Sequence, residues 1–237
     1  MLEHAQIVLD QFRQMEADIS VQGQRNHIRI GASVSVGTYL LPPLIHALTE
    51  QKQPISYEVT IDNTSKIEGL VTNYELDLGL VEGCIENPNL VIRDVAEDEL
   101  VLVVRAGHPL TQQLEVTNQD LERYPFVTRE DGSSRRNQLE LHLQKLGLQL
   151  NNNYACSSVE AIKQALIYTD SIAALSRMMI ADEVKQGVLT VLPREDLKVQ
   201  RSIRLIYRKH KYLSTAMKNF FQLLEDHVDD RANHTTA

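Results

Sequence analysis

The sequence predicts an α/β protein with two similar lobes, each built on a parallel sheet. Strand-like and helix-like segments alternate between His27 and about residue 100, and a second alternating series begins at Pro125. Such alternation is typical of parallel strands joined by crossover helices. Of the 237 residues, 43% are hydrophobic and 24% are charged, which suits a globular protein with one or two cores.

The N-terminal segment predicts a helix with one apolar seam. Residues 2–20 contain no Gly or Pro, and apolar residues recur at alternating spacings of three and four, interrupted only by Glu16. The seam consists of Leu2, Ala5, Leu9, Phe12 and Ile19. An isolated coiled coil of this length is marginal, so the helix packs either on its own protein or on a second subunit. Gly23 ends it.

The first alternating series starts with Ile28 and Ile30, which alternate with polar or small neighbours as in a strand. The series predicts strands at 28–32, 55–61 and 77–81, helices at about 36–52 and 64–73, and a strongly apolar strand at Leu100–Val104.

Three hydroxyl side chains, Ser33, Ser35 and Thr38, cluster where the first strand gives way to a helix. One interpretation is helix capping, because Ser and Thr satisfy the free N–H groups of a first helical turn. The other is a ligand cradle, because a helix that follows a strand presents oriented N–H groups to a small anion. The sequence pattern alone is compatible with both.

The second series consists of segments with the same two kinds of pattern. It predicts strands at 125–128, 150–156, 171–176 and 203–208, and helices at 133–147, 157–168, 178–187 and about 213–227. Gly147 and Gly187 end two of these helices, as Gly commonly does. Residues 229–237 predict a frayed tail.

Composition excludes several classes of protein. A net charge of −8 lacks the positive surface expected of a free-standing DNA-binding protein. The chain has no apolar run long enough to span a membrane and no secretory signal at its start, so we expect a cytoplasmic protein. Cys84 and Cys156 are far apart and form no CxxC motif, which predicts two buried thiols and neither a disulfide framework nor a metal site. No cofactor-binding motif is present.

Several segments together resemble the effector-binding half of LysR-type transcriptional regulators. They occur in the family's order over nearly the whole chain: "IRIGAS…GTYLLPPLI", "ELDLGLVEG…NPNLVIRDVAEDELVLVVRAGHPL", "REDGSSRR", "SSVEAIKQAL", "IAALSR" and "IRLIYRKHKYLSTAMKNF". Residues 1–22 resemble the linker helix through which such regulators dimerise. The winged helix-turn-helix that would precede this helix is absent from the sequence, so DNA contact would need that missing domain.

The resemblance implies a fold like that of type II periplasmic binding proteins, with two Rossmann-like lobes joined by two crossing strands. Lobe I would comprise residues 27–102 and 203–228, and lobe II residues 103–202. The family binds a small effector in the cleft between the lobes and assembles into homodimers or homotetramers. Its members transmit the effector signal to DNA by rearranging these oligomers.

Ligands of such lobes lie beyond the carboxyl ends of the strands. The resemblance therefore implies that the effector contacts residues at those ends, namely Ser33, Val34, Ser35, Glu82, Gly83, Thr128, Arg129, Ser133, Ser134, Arg135 and Ser157. Ser157 has an alternative structural role, because Ser157 and Glu160 have the spacing of a capping box.

The segment "REDGSSRR" departs from the family pattern Arg-Glu-Pro-Gly-Ser-Gly-Thr-Arg at Asp131, Ser134 and Arg135. Arg135 and Arg136 open a helix at its positive end, which favours cations only when an anion is near. Either an anionic effector binds there, or the arginines turn to solvent or pair with neighbours such as Glu140. Thr169 and Ser171 replace usual family glycines, which predicts a helix end without a left-handed residue.

Two other functions share the predicted architecture. A solute-binding protein of a transporter needs export, and the sequence shows no signal for it. An enzyme would need a nucleophile and a base; Cys84 and His108 are the candidates, but no motif of a known catalytic site joins them, so we expect no enzyme. For the effector, an inorganic sulfur oxyanion and a small organic acid both suit hydroxyls and an arginine.

Overall fold

The computed structural model describes residues 8, 9, 12, 26–51, 55–83, 85–129, 134–148 and 151–235. The chain divides into two compact units, of which unit 1 is Met1–Ala96 with Ser202–Ala237 and unit 2 is Glu97–Arg201. The first segment of unit 1 ends at Ala96, six residues before the expected end of that segment of lobe I at residue 102. Unit 2 ends at Arg201, one residue before the expected end of lobe II at residue 202.

Unit 1 is built on a sheet in the strand order β2-β1-β3-β9. Its strands are β1 (Asn26–Ser33), β2 (Ile55–Asp62), β3 (Leu78–Glu82) and β9 (Val199–Arg208), and β4 (Leu90–Arg105) starts in this unit. β1 is parallel to both β2 and β3, whereas β9 is antiparallel to β3. The carboxyl ends of the three parallel strands therefore meet at one edge, as the alternating pattern predicts. β4 and β9 carry the chain from one unit to the other.

The helices of unit 1 are α1 (Val34–Tyr39), α2 (Leu41–Thr49), α3 (Thr64–Thr72) and α8 (Thr215–Thr235). The prediction of one helix over 36–52 is wrong, because α1 and α2 are separated at Leu40. Pro42 and Pro43 stand in the first turn of α2. A proline has no N–H to donate to the preceding turn, so the hydrogen-bond ladder of α1 cannot continue through them.

The C-terminal helix is longer than the sequence predicts. α8 extends to Thr235, whereas we expected the helix to end near His227 and residues 229–237 to form a frayed tail. Residues 215–235 contain neither Gly nor Pro, so no residue in this stretch breaks the helix. The N-terminal seam lies largely outside the described residues: Val8, Leu9 and Phe12 are helical and exposed.

α3 packs closely on the sheet of unit 1 because two glycines leave room for it. A Cβ on Gly31 would lie 2.7 Å from a side-chain carbon of Ile67, and a Cβ on Gly79 would lie 2.9 Å from the same atom. Gly31 and Gly79 are direct partners in the β1–β3 pairing. The small residues thus admit Ile67 to a core that it shares with Val71 and Val81.

A buried group of charges lies at the start of β3. The Asp77 carboxylate accepts hydrogen bonds from the Arg29 backbone N–H and guanidinium at 2.8 Å each, and from Lys211 Nζ at 2.8 Å. The Lys211 side chain is fully buried. Burial by itself raises the pKa of Asp77, but the hydrogen bonds and charges of Arg29 and Lys211 outweigh it and hold the pKa at about 2.

Unit 2 has the strand order β4-β7-β5-β6, with β8 also paired to β4. Its further strands are β5 (Phe126–Arg129), β6 (Asn152–Cys156), β7 (Ile172–Ser176) and β8 (Leu189–Val191). β5 is parallel to β6 and β7, and β4 is antiparallel to β7 and β8. The helices are α4 (Asn118–Glu122), α5 (Ser134–Lys145), α6 (Val159–Tyr168) and α7 (Ala181–Lys185).

The predicted helix over 178–187 is also wrong in part. A 3-10 turn at Arg177–Met179 precedes α7, and the two are separated at Ile180. Ile180 is fully buried in the core around Val101 and Leu175, and its backbone has a φ of −116° and a ψ of 5°, outside the helical range. Gly187 follows α7 with a φ of 70°, as predicted for a helix end.

A second buried ion pair stands where β4 and β9 enter unit 2. Arg201 Nε donates to Asp98 Oδ2 at 2.8 Å, and Ser176 Oγ donates to Asp98 Oδ1 at 2.8 Å. Both charged side chains are 2% exposed. Asp98, Ser176 and Arg201 lie on β4, β7 and β9, so this group links three strands. Removing one partner of the ion pair would leave a buried charge without compensation.

We predict that acid selectively removes the contribution of Asp77 to stability. Its folded pKa of about 2 lies below the usual 3.8. The contribution of about 2 kcal/mol is therefore complete above pH 4 and is lost as the pH falls toward 2. Asp77→Asn should lower the free energy of unfolding by about 3–5 kcal/mol at pH 7, because Lys211 and Arg29 lose their partner.

Urea unfolding from pH 7 to pH 2 measures both effects. Asp226→Asn is the control, since Asp226 is an exposed carboxylate on α8 and its replacement should change stability by less than about 0.5 kcal/mol. An Asp77→Asn protein as stable as the control would contradict the prediction.

Candidate functional site

The carboxyl edge of the unit 1 sheet carries two buried hydroxyls that no described residue bonds. Ser33 ends β1 and is 2% exposed, and Ser35 in the first turn of α1 is fully buried. Among the described residues, neither Oγ has a hydrogen-bonding partner. Ser33 occupies the N-cap position, yet its side chain makes no capping hydrogen bond. The capping interpretation is therefore wrong for Ser33, and both hydroxyls can serve a ligand.

The third hydroxyl of this cluster has a local role. Thr38 Oγ1 donates to the Val34 carbonyl within α1 at 2.7 Å. Thr38 is exposed, unlike the two serines. The three hydroxyls predicted as one group therefore divide into two buried candidates for ligand contact and one helix side chain bonded to its own backbone.

The end of β3 lies at the same edge. β1 and β3 are paired with Ala32 opposite Leu80, so Glu82 and Gly83 emerge beside the residues that follow Ala32. Glu82 is 3% exposed. Gly83 has a φ of 95°, which lies in the left-handed region that favours glycine. The structure thus brings together four predicted site residues of unit 1, Ser33, Ser35, Glu82 and Gly83.

In unit 2, the end of β5 also carries buried polar side chains. Thr128 is 4% exposed, and its Oγ1 has no hydrogen-bonding partner within the described part of the chain. Arg129 follows it and is 7% exposed. Ser133 and the side chains of Ser134 and Arg135 lie outside the described residues, and the backbone of α5 begins at Ser134.

Arg136 has a partner within its own helix. Its Nε donates to Glu140 Oε1 at 2.7 Å, one turn further along α5. Its Nη1 lies 3.4 Å from the Arg129 carbonyl. This is the arrangement anticipated as the alternative to anion binding, so Arg135 is the arginine of the pair that stays a candidate for the effector.

The capping box predicted at Ser157 is wrong. α6 begins at Val159, and its N-cap is Ser158, whose side chain accepts from the Ala161 N–H at 3.2 Å. Glu160 instead accepts a hydrogen bond from Gln164 within the helix. Because the helix starts one residue later than the spacing implied, Ser157 is exposed and does not cap it. As predicted, α6 ends without a left-handed residue, since Thr169 has a φ of −137°.

The candidate catalytic residues do not form a described pair. His108 is fully buried, its Nδ1 accepts from the Leu110 N–H at 3.2 Å, and its ring packs 4.5 Å from that of Tyr124. Burial lowers the pKa of His108 below its usual value. Cys84 lies outside the described residues, and Cys156 is half-buried, with its Sγ 3.3 Å from the Ser158 carbonyl. His108 thus has the contacts of a residue that stabilises a turn.

Two further residues, which were not predicted from the sequence, bond backbone carbonyls at the carboxyl edge of the unit 1 sheet. Thr64 Oγ1 donates to the Glu82 carbonyl at 3.0 Å, and Arg204 Nη1 donates to the Gly83 carbonyl at 2.8 Å. Thr64 follows Asn63, the N-cap of α3, so a capping signal marks its neighbourhood. Arg204 is 121 residues from Gly83, and no local pattern signals the contact.

The comparisons with known proteins agree with this architecture. Residues 21–229 match the family described as the LysR substrate binding domain. The chain is 31% identical over 232 residues to the HTH-type transcriptional regulator CbbR of Sinorhizobium medicae, covering 94% of this chain and 72% of that protein. It is 29% identical over 183 residues to the HTH-type transcriptional regulator CysL of Bacillus subtilis, covering 77% of this chain and 61% of that protein.

Among solved structures, the regulatory domain of CcmR from Synechocystis PCC6803, in complex with 2-PG, has the same fold. The TM-score is 0.76 with 24% identity, covering 85% of this chain and 97% of that one. This likeness agrees with the type II periplasmic-binding-protein-like fold expected from the sequence. Because the family match extends over most of the sequence, the chain belongs to the LysR substrate binding domain family.

Proposed function

We propose that this chain is the ligand-sensing regulatory domain of a LysR-type transcriptional regulator and that it binds a small anionic effector. The observation that carries the proposal is the pair of buried hydroxyls, Ser33 and Ser35, that have no partner among the described residues. They lie at the carboxyl edge of a parallel sheet, where α/β proteins bind their ligands. A buried hydroxyl without a hydrogen bond costs about 1–3 kcal/mol, which a bound ligand would recover.

The chemistry of these groups favours an oxyanion or a small carboxylic acid. Hydroxyls donate short hydrogen bonds to anionic oxygens, and Arg135 of the "SSRR" segment would add a charge-assisted contact. The Thr128 hydroxyl in unit 2 is buried like that of Ser33 in unit 1, and neither has a partner in the part of the chain that the structure describes, which supports its predicted role. The CcmR regulatory domain, which has the same fold, is in complex with 2-PG, so 2-PG is one probe for this site.

The regulator would act on DNA through a winged helix-turn-helix domain and not through this chain. The net charge of −8 disfavours direct contact with DNA phosphates. The curated relatives CbbR and CysL are named as transcriptional regulators, and the chain spans about three-fifths of the length of CysL. Within the described residues, no helix is long and apolar enough to cross a membrane. We propose a regulator of transcription that acts in the cytoplasm.

We propose homodimers or homotetramers as the working form. β2 is the edge strand of unit 1, and Tyr57, Val59 and Ile61 follow one another at alternate positions with 39–46% exposure. Alternate residues share one face of a strand, so β2 presents an apolar row on one face of the sheet beside its open edge. An unpaired apolar edge strand is a favourable place for a second chain. Leu9 and Phe12 of the N-terminal seam are also half exposed.

We predict that Ser33→Ala weakens effector binding without a matching loss of stability. The probes are 2-PG, sulfate and shikimate; a probe at a hundred times its dissociation constant should add about 2.7 kcal/mol to the free energy of unfolding. Loss of one hydrogen bond to an anion should weaken the affinity of the bound probe about tenfold in calorimetry. Thr128→Val and Arg135→Gln should have similar effects, whereas Arg136→Gln should have little.

The matched control for this prediction is Ser158→Ala, because Ser158 is the serine that does cap a helix. This change should lower the free energy of unfolding by about 1 kcal/mol. It should leave the affinity for the probe unchanged. If Ser33→Ala destabilises the protein as Ser158→Ala does while the probe binds as before, Ser33 is structural and the proposed site is wrong.

We predict that Val59→Lys weakens self-association. A lysine at this position would bring an unpaired charge into an apolar contact, so the association constant should fall about tenfold or more. Light scattering across a concentration series measures the mass against 26.9 kDa for one chain. Deleting residues 1–22 should also lower the mass without unfolding either unit.

The control for association is Leu114→Lys, which introduces the same charge at a fully exposed leucine of unit 2. It should associate like the unaltered chain. A mass of one chain for the unaltered protein at every concentration would refute the proposed oligomer.

A further inference from the structure

The turn after β3 is held at two successive carbonyl groups by side chains from elsewhere in unit 1. Thr64, the first residue of α3, bonds the Glu82 carbonyl, and Arg204 on β9 bonds the Gly83 carbonyl, at 3.0 and 2.8 Å. The φ of 95° at Gly83 turns the backbone sharply between them. The orientation of this turn therefore depends on contacts with α3 and β9 and not on its own sequence alone.

Arg204 also binds a partner on the other strand that leaves unit 1. Its Nε donates to Asp94 Oδ1 of β4 at 2.7 Å. The planar guanidinium presents its N–H groups at fixed angles, so one side chain fixes the Gly83 carbonyl relative to Asp94. The Asp94 side chain is 62% exposed, so the ion pair by itself contributes little to stability. The bridge matters through its geometry.

We propose that Arg204 is a positioning residue of the ligand site, which sets the Glu82–Gly83 turn and ties it to β4 and β9. The inference rests on the proposed function, in which Glu82 and Gly83 border the effector. Arg204 acts through the Gly83 carbonyl and does not contact the effector itself. A displacement of the Glu82–Gly83 turn on binding would therefore displace Arg204 on β9 and its partner Asp94 on β4.

Two roles of Arg204 lead to different expectations. If Arg204 only adds positive charge near an anion, then Arg204→Lys keeps its effect, and Asp94→Asn strengthens anion binding by removing a negative charge. If Arg204 positions the turn, then Arg204→Lys resembles Arg204→Gln, because one ammonium group cannot replace the fork that spans Gly83 and Asp94. In that case Asp94→Asn also weakens anion binding, but by less than Arg204→Gln does.

The first experiment measures backbone amide exchange with deuterium in peptides that cover residues 78–90. Arg204→Gln and Arg204→Lys should exchange about five- to tenfold faster there than the unaltered chain, since the turn loses a fixed carbonyl contact. Arg93→Gln is the matched control: Arg93 precedes Asp94 on β4, but its guanidinium binds Glu225 of α8 at 2.7 Å. Exchange in Arg204→Gln equal to that in Arg93→Gln would overturn the proposal.

The second experiment titrates 2-PG into the same proteins by calorimetry, after thermal unfolding has confirmed that each is folded. Both Arg204 variants should bind about five- to tenfold more weakly than the unaltered chain, and Arg93→Gln should bind normally. Normal affinity in Arg204→Lys would overturn positioning in favour of simple charge. If the unaltered chain binds no 2-PG, the proposed effector class loses its support, while the exchange measurement still decides the role of Arg204.

Discussion

The parallel pairing of β1 with both β2 and β3 is the constraint on which the candidate site in unit 1 depends. Parallel strands bring their carboxyl ends to one edge, so the residues that follow β1 and β3 become neighbours although some 50 residues separate them. α3 can pack closely on the paired strands β1 and β3 because Gly31 and Gly79 leave space for Ile67. A side chain at either glycine would displace α3 and, with it, the Thr64 contact that holds the Glu82 carbonyl.

The buried carboxylates of this protein and the buried hydroxyls at its strand ends differ in whether described residues satisfy them. The Asp77 and Asp98 carboxylates are each surrounded by cationic or hydroxyl donors, as buried charges in stable cores are. The hydroxyls of Ser33, Ser35 and Thr128 are equally buried, yet no described residue satisfies them. The Nε2 of His108 is also buried without a partner among the described residues, so burial alone does not single out the hydroxyls. Their position at the carboxyl ends of parallel strands, together with their unsatisfied state, makes them the place where a ligand is expected.

Several arginines bond backbone carbonyls in addition to the carboxylates that other arginines bind. Arg29 reaches the Tyr74 carbonyl, Arg208 that of Val71, and Arg204 that of Gly83. Each of these bonds ties a turn or helix end to a strand distant in sequence. The guanidinium suits this task because it offers several N–H donors in a rigid plane, so it can satisfy a carboxylate and a carbonyl together.

The α/β class, the order of nearly all strands and helices, and the family could all be inferred from the amino-acid sequence. Periodicity of apolar residues carries this information, because each strand or helix must bury one face whatever its surroundings are. It also located Ser33, Ser35 and Thr128 at strand ends. The interruption of the first helix at Leu40 could have been read from Pro42 and Pro43, which directly restrict the backbone.

Which of these polar residues are satisfied is visible only in the folded structure. Ser158 and not Ser157 caps α6, because the helix begins at Val159. For Arg136 the sequence left several alternatives open, and the structure pairs it with Glu140. The hydrogen bond from Arg204 to Gly83 joins residues 121 positions apart, so no local sequence pattern can indicate it. Hydrogen bonds between distant residues form only after the sheet has brought strands together, so they follow from the fold and cannot be read from spacing along the chain.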